Sequence, residues 1–164
     1  MSLGLQYIIL FLALITFVIT GNYAIHLYYK RNQKFILNEL KNREYQIFNN
    51  VSLYQFSGIG FRINTADILI LKNQIILFLY NTNFKGKIKQ AQPTLLLFEN
   101  PNDNFLNKGI LLKIDNIEGT KNGISISVNN KQQILIKNYK LLIKSDNVDF
   151  EKIESIIKAK LYIN

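Results

Sequence analysis

Lys85, Lys87 and Lys89 alternate along the chain, so an extended backbone there would hold three ammonium groups on one face. Such a row attracts anionic lipid headgroups or an acidic partner. It equally describes a solvated sheet edge whose charges discourage edge-to-edge pairing. Asp146, Asp149, Glu151 and Glu154 form the densest carboxylate group. Their place at the start of an apolar-periodic segment assigns them to helix capping and the helix dipole rather than to a metal. His26 is the single histidine, and it stands among apolar residues near the N-terminus. It reads as a satisfied polar residue at headgroup depth. Without a second His and with no Cys, neither a His–metal cluster, a thiolate zinc site nor a Cys nucleophile can be assembled. Gly58-x-Gly60 and the Gly119/Gly123 pair lack the Lys-Ser/Thr or strand–helix context of a phosphate loop. Asn50-Val51-Ser52 fits the glycosylation pattern, as chance allows in so Asn-rich a chain. No enzyme, cofactor or metal is expected.

The chain of 164 residues is 48 % apolar and carries a net charge of +9, which suits one ordinary domain with an appendage. Arginine occurs only at Arg31, Arg43 and Arg62. Base-reading surfaces rely on clustered Arg forks, so nucleic acid is not an expected partner. A positive surface made of scattered lysines suits acidic surroundings or anionic lipid.

Residues 1–30 supply the appendage. Tyr7 to Thr20 contains no charge, and the uncharged run continues to Tyr29. About 20 helical residues cross the roughly 30 Å hydrocarbon layer. Tyr7 at one end and Tyr23, Tyr28 and Tyr29 at the other are spaced like an interfacial belt. Lys30, Arg31 and Lys34 follow and stop the span. The competing reading, a signal peptide, lacks a basic leader and a small-residue cleavage pattern. An uncleaved transmembrane anchor is expected. With the flanking cations all on its C-terminal side, the positive-inside rule puts the N-terminus outside and the domain in the cytoplasm.

Residues 31–49 contain no Gly or Pro, and Ile36, Leu40 and Ile47 share a helical face. A juxtamembrane helix is expected, its apolar face packed on its own domain or on a partner. Asn49-Asn50 should break it.

Residues 50–164 change period. Strand-like runs are expected around residues 57–63, at Ala66–Leu71 and Gln74–Tyr80, joined by a Lys72-Asn73 turn, and at 85–89 and 93–98 with Pro93 marking an edge or bend. Further runs cover 109–117, 124–128, 133–137 and 139–143, with Ile124, Ile126 and Val128 facing a core and Ser125 and Ser127 facing water. Phe150, Ile153, Ile157 and Leu161 then fall at helical spacing, predicting a C-terminal helix.

About seven short strands in a meander, closed by that helix, resemble the pleckstrin-homology-like superfold, including its bacterial members. The resemblance implies an α+β, mainly β domain. In it, two nearly orthogonal antiparallel sheets form a partly open barrel, plugged by Phe150, Ile153, Ile157 and Leu161. Members of that family that bind phosphoinositides use basic residues around the loop between the first two strands. Here the matching loop reads Asn64-Thr65-Ala66-Asp67, with Arg62 the nearby base.

The expected role is a non-enzymatic, membrane-tethered interaction module on the cytoplasmic face. Its expected partners are membrane lipid and a protein at or in the membrane. The candidate contacts are Lys85, Lys87, Lys89, Ile36, Leu40 and Ile47, flanked at the membrane by Lys30, Arg31 and Lys34. The alternatives are recognition of anionic headgroups by the β domain, or a small ligand held inside the barrel.

Overall fold

In a computed structural model of the chain, residues 3–57, 60–72, 74–83, 88–98, 106, 108–120, 123–129 and 138–144 are described. The chain opens with one 37-residue helix, α1 (Leu3–Glu39). Its N-terminal part is long and apolar enough to cross a membrane, with an 18-residue window of mean hydropathy 2.3, none of it buried. Three polar side chains there bond within the helix. The hydroxyls of Thr16 and Thr20 donate to the carbonyls of Leu12 and Thr16, both at 2.8 Å, and Asn22 Nδ2 donates to Val18 O at 3.0 Å. Internal pairing of this kind is what a lipid environment demands.

The helix stops ten residues short of the boundary expected at residue 49. Backbone bonds from Leu40 to Ile36 (3.1 Å) and from Arg43 to Leu40 (3.0 Å) close the last turns. The chain then enters β1 (Gln46–Ser57). Ile47 and Phe48 therefore alternate across a strand instead of extending the helical face. Asn49-Asn50, expected to end the helix, instead forms a bulge inside β1 between Phe48 and Val51, with Asn50 at φ 58°. Asn is among the few non-glycine residues that adopt this conformation readily.

Seven strands then close into a barrel. β1 pairs with β2 (Gly60–Ile70), and β2 with β3 (Gln74–Asn83). One edge of β3 meets both β4 (Ile88–Ala91) and β5 (Leu95–Phe98). The interruption falls at Gln92-Pro93-Thr94, where the sequence predicts an edge or bend. The ring is completed by β6 (Ile110–Thr120), β7 (Gly123–Asn129) and β8 (Asn138–Lys144), which returns to β1. β4 prolongs the edge outside the ring. Every pairing is antiparallel except β5–β6, which is parallel and departs from the expected meander. Asn64–Asp67, expected as a loop, lies within β2. The reason is the hairpin: β1 ends at Ser57 opposite Gly60, so the strand expected across residues 57–63 is two strands. The expected C-terminal helix lies outside the described residues.

Alternation sorts the side chains into two cores. Inward positions, including Leu53, Ile68, Leu77, Leu97, Ile126 and Leu141, fill the barrel and are fully buried. Ile124, Ile126 and Val128 belong to this interior as expected, but Ser125 is buried as well rather than facing water. Outward positions on β2, β3 and β5 form a second cluster with α1. Leu69 sits opposite Ile76, and Ile76 opposite Leu96, giving a three-strand apolar row that Ile36 and Leu40 cover.

Candidate functional site

The feature most able to serve a function is the seam between the second half of α1 and the barrel. His26, Tyr29, Gln33, Ile36 and Leu40 are shielded there, with Asn32 and Leu37 beside them. They recur at steps of three and four, which is one stripe of a helix. Ile36 and Leu40 are both 0 % exposed. At the other end of the stripe the backbone N–H of Ala91 donates to His26 Nδ1 at 2.9 Å, and Gln90 Nε2 reaches Asn22 O at 3.5 Å. β4 is an edge strand, so its outward N–H needs a partner, and the single histidine supplies one. His26 has a hydrogen-bond partner, as expected, and through it ties the helix to a sheet edge.

Between these anchor points lies a notch of about 250 Å³ lined by Tyr28, Tyr29, Asn32, Pro93, Thr94 and Gly109, with Lys108 at its rim. Drug-sized ligand pockets run from about 300 Å³ upward, so the notch suits a small polar group more than a cofactor. Lys108 Nζ stands 4.4 Å from the Phe35 ring centroid, a cation–π contact linking helix and barrel a second time.

Gln33 is an oddity in this seam. It is 6 % exposed, and its Nε2 has no hydrogen-bond partner. A buried amide donor left unpaired costs about 1–3 kcal/mol. Gln33→Met, of similar length and without the amide, should raise the thermal transition of the full chain in detergent by roughly 1 kcal/mol equivalent. An unchanged or lower transition would show that the amide is satisfied in solution.

A polar group sits near the bulge. Asn50 N–H donates to Asp67 Oδ1 at 2.9 Å, and Lys89 Nζ donates to Asn50 Oδ1. Lys89 Nζ also stands 5.4 Å from the Tyr80 ring centroid. Burial chiefly, then the Asp67 charge and its hydrogen bond, push the Tyr80 phenol well above its ordinary value. A group whose folded pKa exceeds its unfolded one contributes stability that is complete below the unfolded pKa, about 10 for Tyr, and is lost as pH rises. Stability should therefore fall above roughly pH 10, and Tyr80→Phe should flatten that fall in a pH series of unfolding midpoints.

The sequence-derived candidates divide cleanly. Ile36 and Leu40 pack on the protein's own domain. Ile47, expected on their face, is on β1 opposite Leu69 and is 46 % exposed. Lys30, Arg31 and Lys34 are exposed on α1, and Lys89 is exposed on β4. Lys85, Lys87, Gly58 and the carboxylates of residues 146–154 lie outside the described residues. Among the described residues no three His, Cys, Asp or Glu side chains stand together as a metal site would require. The Asn50–Asp67–Tyr80–Lys89 group and the Lys108–Phe35 contact join residues 9 to 73 positions apart, and the sequence singled out Asn50, Asp67 and Lys89 each for another reason and none of the others. No family model, no curated protein and no solved structure matches the chain.

Proposed function

We propose that the protein is a non-enzymatic, membrane-tethered scaffold whose barrel is held rigidly at the cytoplasmic face to present a surface to a protein partner. The observation that carries this reading is the buried Ile36–Leu40 stripe, because it makes anchor and barrel one body. A passive tether would need only a flexible linker. The barrel interior is packed with aliphatic side chains, which favours a scaffold over a carrier with its ligand inside. The cytoplasmic placement rests on Lys30, Arg31 and Lys34 following the span. A pleckstrin-homology-like relationship draws on the seven-strand ring, and the parallel β5–β6 pair speaks against it.

Two measurements test the proposal. A C-terminal alkaline phosphatase fusion should be inactive and a fluorescent-protein fusion bright; the reverse would overturn the orientation. In mild detergent, tagged full-length protein should retain a partner that the same chain lacking residues 3–19 recovers poorly from cells, since tethering raises local concentration. Equal recovery, or none from either, would overturn the scaffold role.

A further inference from the structure

We propose that the end of the barrel at which β3 ends and β4 begins rests directly in the headgroup layer of the bilayer that α1 crosses, with no aqueous gap. This rests on the anchor reading above. The height of the barrel is bracketed from both sides. Phe17, Val18 and Ile19 are 76 %, 51 % and 62 % exposed, and large apolar side chains so displayed need hydrocarbon around them. The hydrocarbon must therefore reach Ile19. Only three residues later, Asn22 O receives Gln90, and one turn further His26 receives the Ala91 amide. The β4 edge, with exposed Lys89 beside it, cannot enter hydrocarbon without stranding backbone and ammonium groups. On the face that β4 covers, the boundary thus lies between Ile19 and Asn22, a helical interval of about 5 Å, while Ile25 and Leu27, 49 % and 46 % exposed, lie beyond it in the interfacial layer.

Strand direction carries the inference further. β4 and β5 run alongside α1 in the same sense, since Gln90 and Ala91 meet its middle and Leu96 and Phe98 meet its end. Ile88 and its partner Asn83 therefore point back toward the membrane. By register, the paired ends Ser57–Gly60 and Asn129–Asn138 face the same way. A polar interfacial layer several ångströms thick lies on each side of the hydrocarbon.

Charge agrees with geometry. In this lower half the described ionisable side chains that are exposed are Lys30, Arg31, Lys89 and Lys140, with Lys34 and, beside Phe35, Lys108 higher up. The described exposed carboxylates, Glu39, Glu44, Asp115 and Glu118, lie at mid-height or at the far end. Apart from half-buried Asp67, which shares Asn50 with Lys89, the charges nearest the bilayer are cationic and fit anionic headgroups.

The chain has no cysteine, so one introduced thiol reports one height. Asn81→Cys lies level with Gln90 at the near end, and Lys72→Cys lies in the β2–β3 turn at the far end. The two positions are separated by roughly 20 Å along the tilted strand. Each variant of the full chain, carrying an environment-sensitive fluorophore, is reconstituted in phosphatidylcholine–phosphatidylglycerol vesicles containing headgroup-spin-labelled lipid. Quenching should be several-fold stronger at position 81 than at 72. Lys140→Cys, at the near end of β8, gives a second near probe should Asn81→Cys fail to fold. Equal quenching at near and far probes, with flotation retained after carbonate washing, overturns the contact alone. Loss of flotation overturns the anchor, and the contact with it.

Discussion

Leu40→Glu should unfasten the helix from the barrel and cost about 3–5 kcal/mol, the range for leaving a charge buried and unpaired. Leu40 is 0 % exposed among Ile36, Leu69, Leu71, Phe78 and Phe98, with nothing cationic in that cluster to pair a carboxylate. The variant has two routes, and both are measurable. Either the glutamate is protonated, or the last turns of α1 swing away and expose the Leu69–Ile76–Leu96 row. Thermal unfolding in detergent should show the loss, and limited proteolysis should cut between Glu39 and Gln46 where the parent resists. Ile47→Glu is the matched control. It lies in the same sequence pattern but is half exposed on β1, so its effect should stay within about 0.5 kcal/mol. If the two variants behave alike, the seam is not what holds the helix, and the barrel's fixed height falls with it.

Gly109→Val is expected to be nearly as damaging, for a reason of backbone rather than charge. Gly109 has φ 137°, a region closed to β-branched residues. A Cβ there would lie 2.8 Å from Leu96 Cγ and 3.1 Å from Thr94 O. Leu96 is fully buried and belongs to the row that α1 covers, so it has no room to retreat. Thr94 O is also held, accepting the Ile110 N–H at 2.8 Å where the parallel β5–β6 pair begins. Backbone strain of about 1–3 kcal/mol and overpacking of similar size should add. Gly109→Ala should lose less but remain clearly destabilised, as it avoids only the β-branching. Urea midpoints for the pair would decide this, and a neutral Gly109→Ala would show that the loop relaxes.

Both variants act at one place, where a single helix meets three strands that are not consecutive in the chain. This is why so much of the architecture could be read along the chain, and why the site could not. The charge-free run from Tyr7 onward is decided by composition alone, because a helix that satisfies its own backbone is the local answer to twenty apolar residues. The alternation of Ile124, Ile126 and Val128 and the tight connection that pairs Leu71 with Gln74 are local as well, set by the two-residue period of a strand and the geometry of a hairpin. The stretch from residue 31 to 49 shows where local reading fails. Ile36, Leu40 and Ile47 fit a helical period, yet a strand also places Ile47 and Phe48 on opposite faces. Spacing cannot choose between the two. Tertiary structure chose through long-range pairing: Ile47 meets Leu69 and Phe48 meets Ile68, and the bulge at Asn50 absorbs the remaining mismatch. The parallel β5–β6 pair, the His26–Ala91 bond and the strain at Gly109 belong to the same class. Each depends on tertiary packing, which brings together residues that no local period relates.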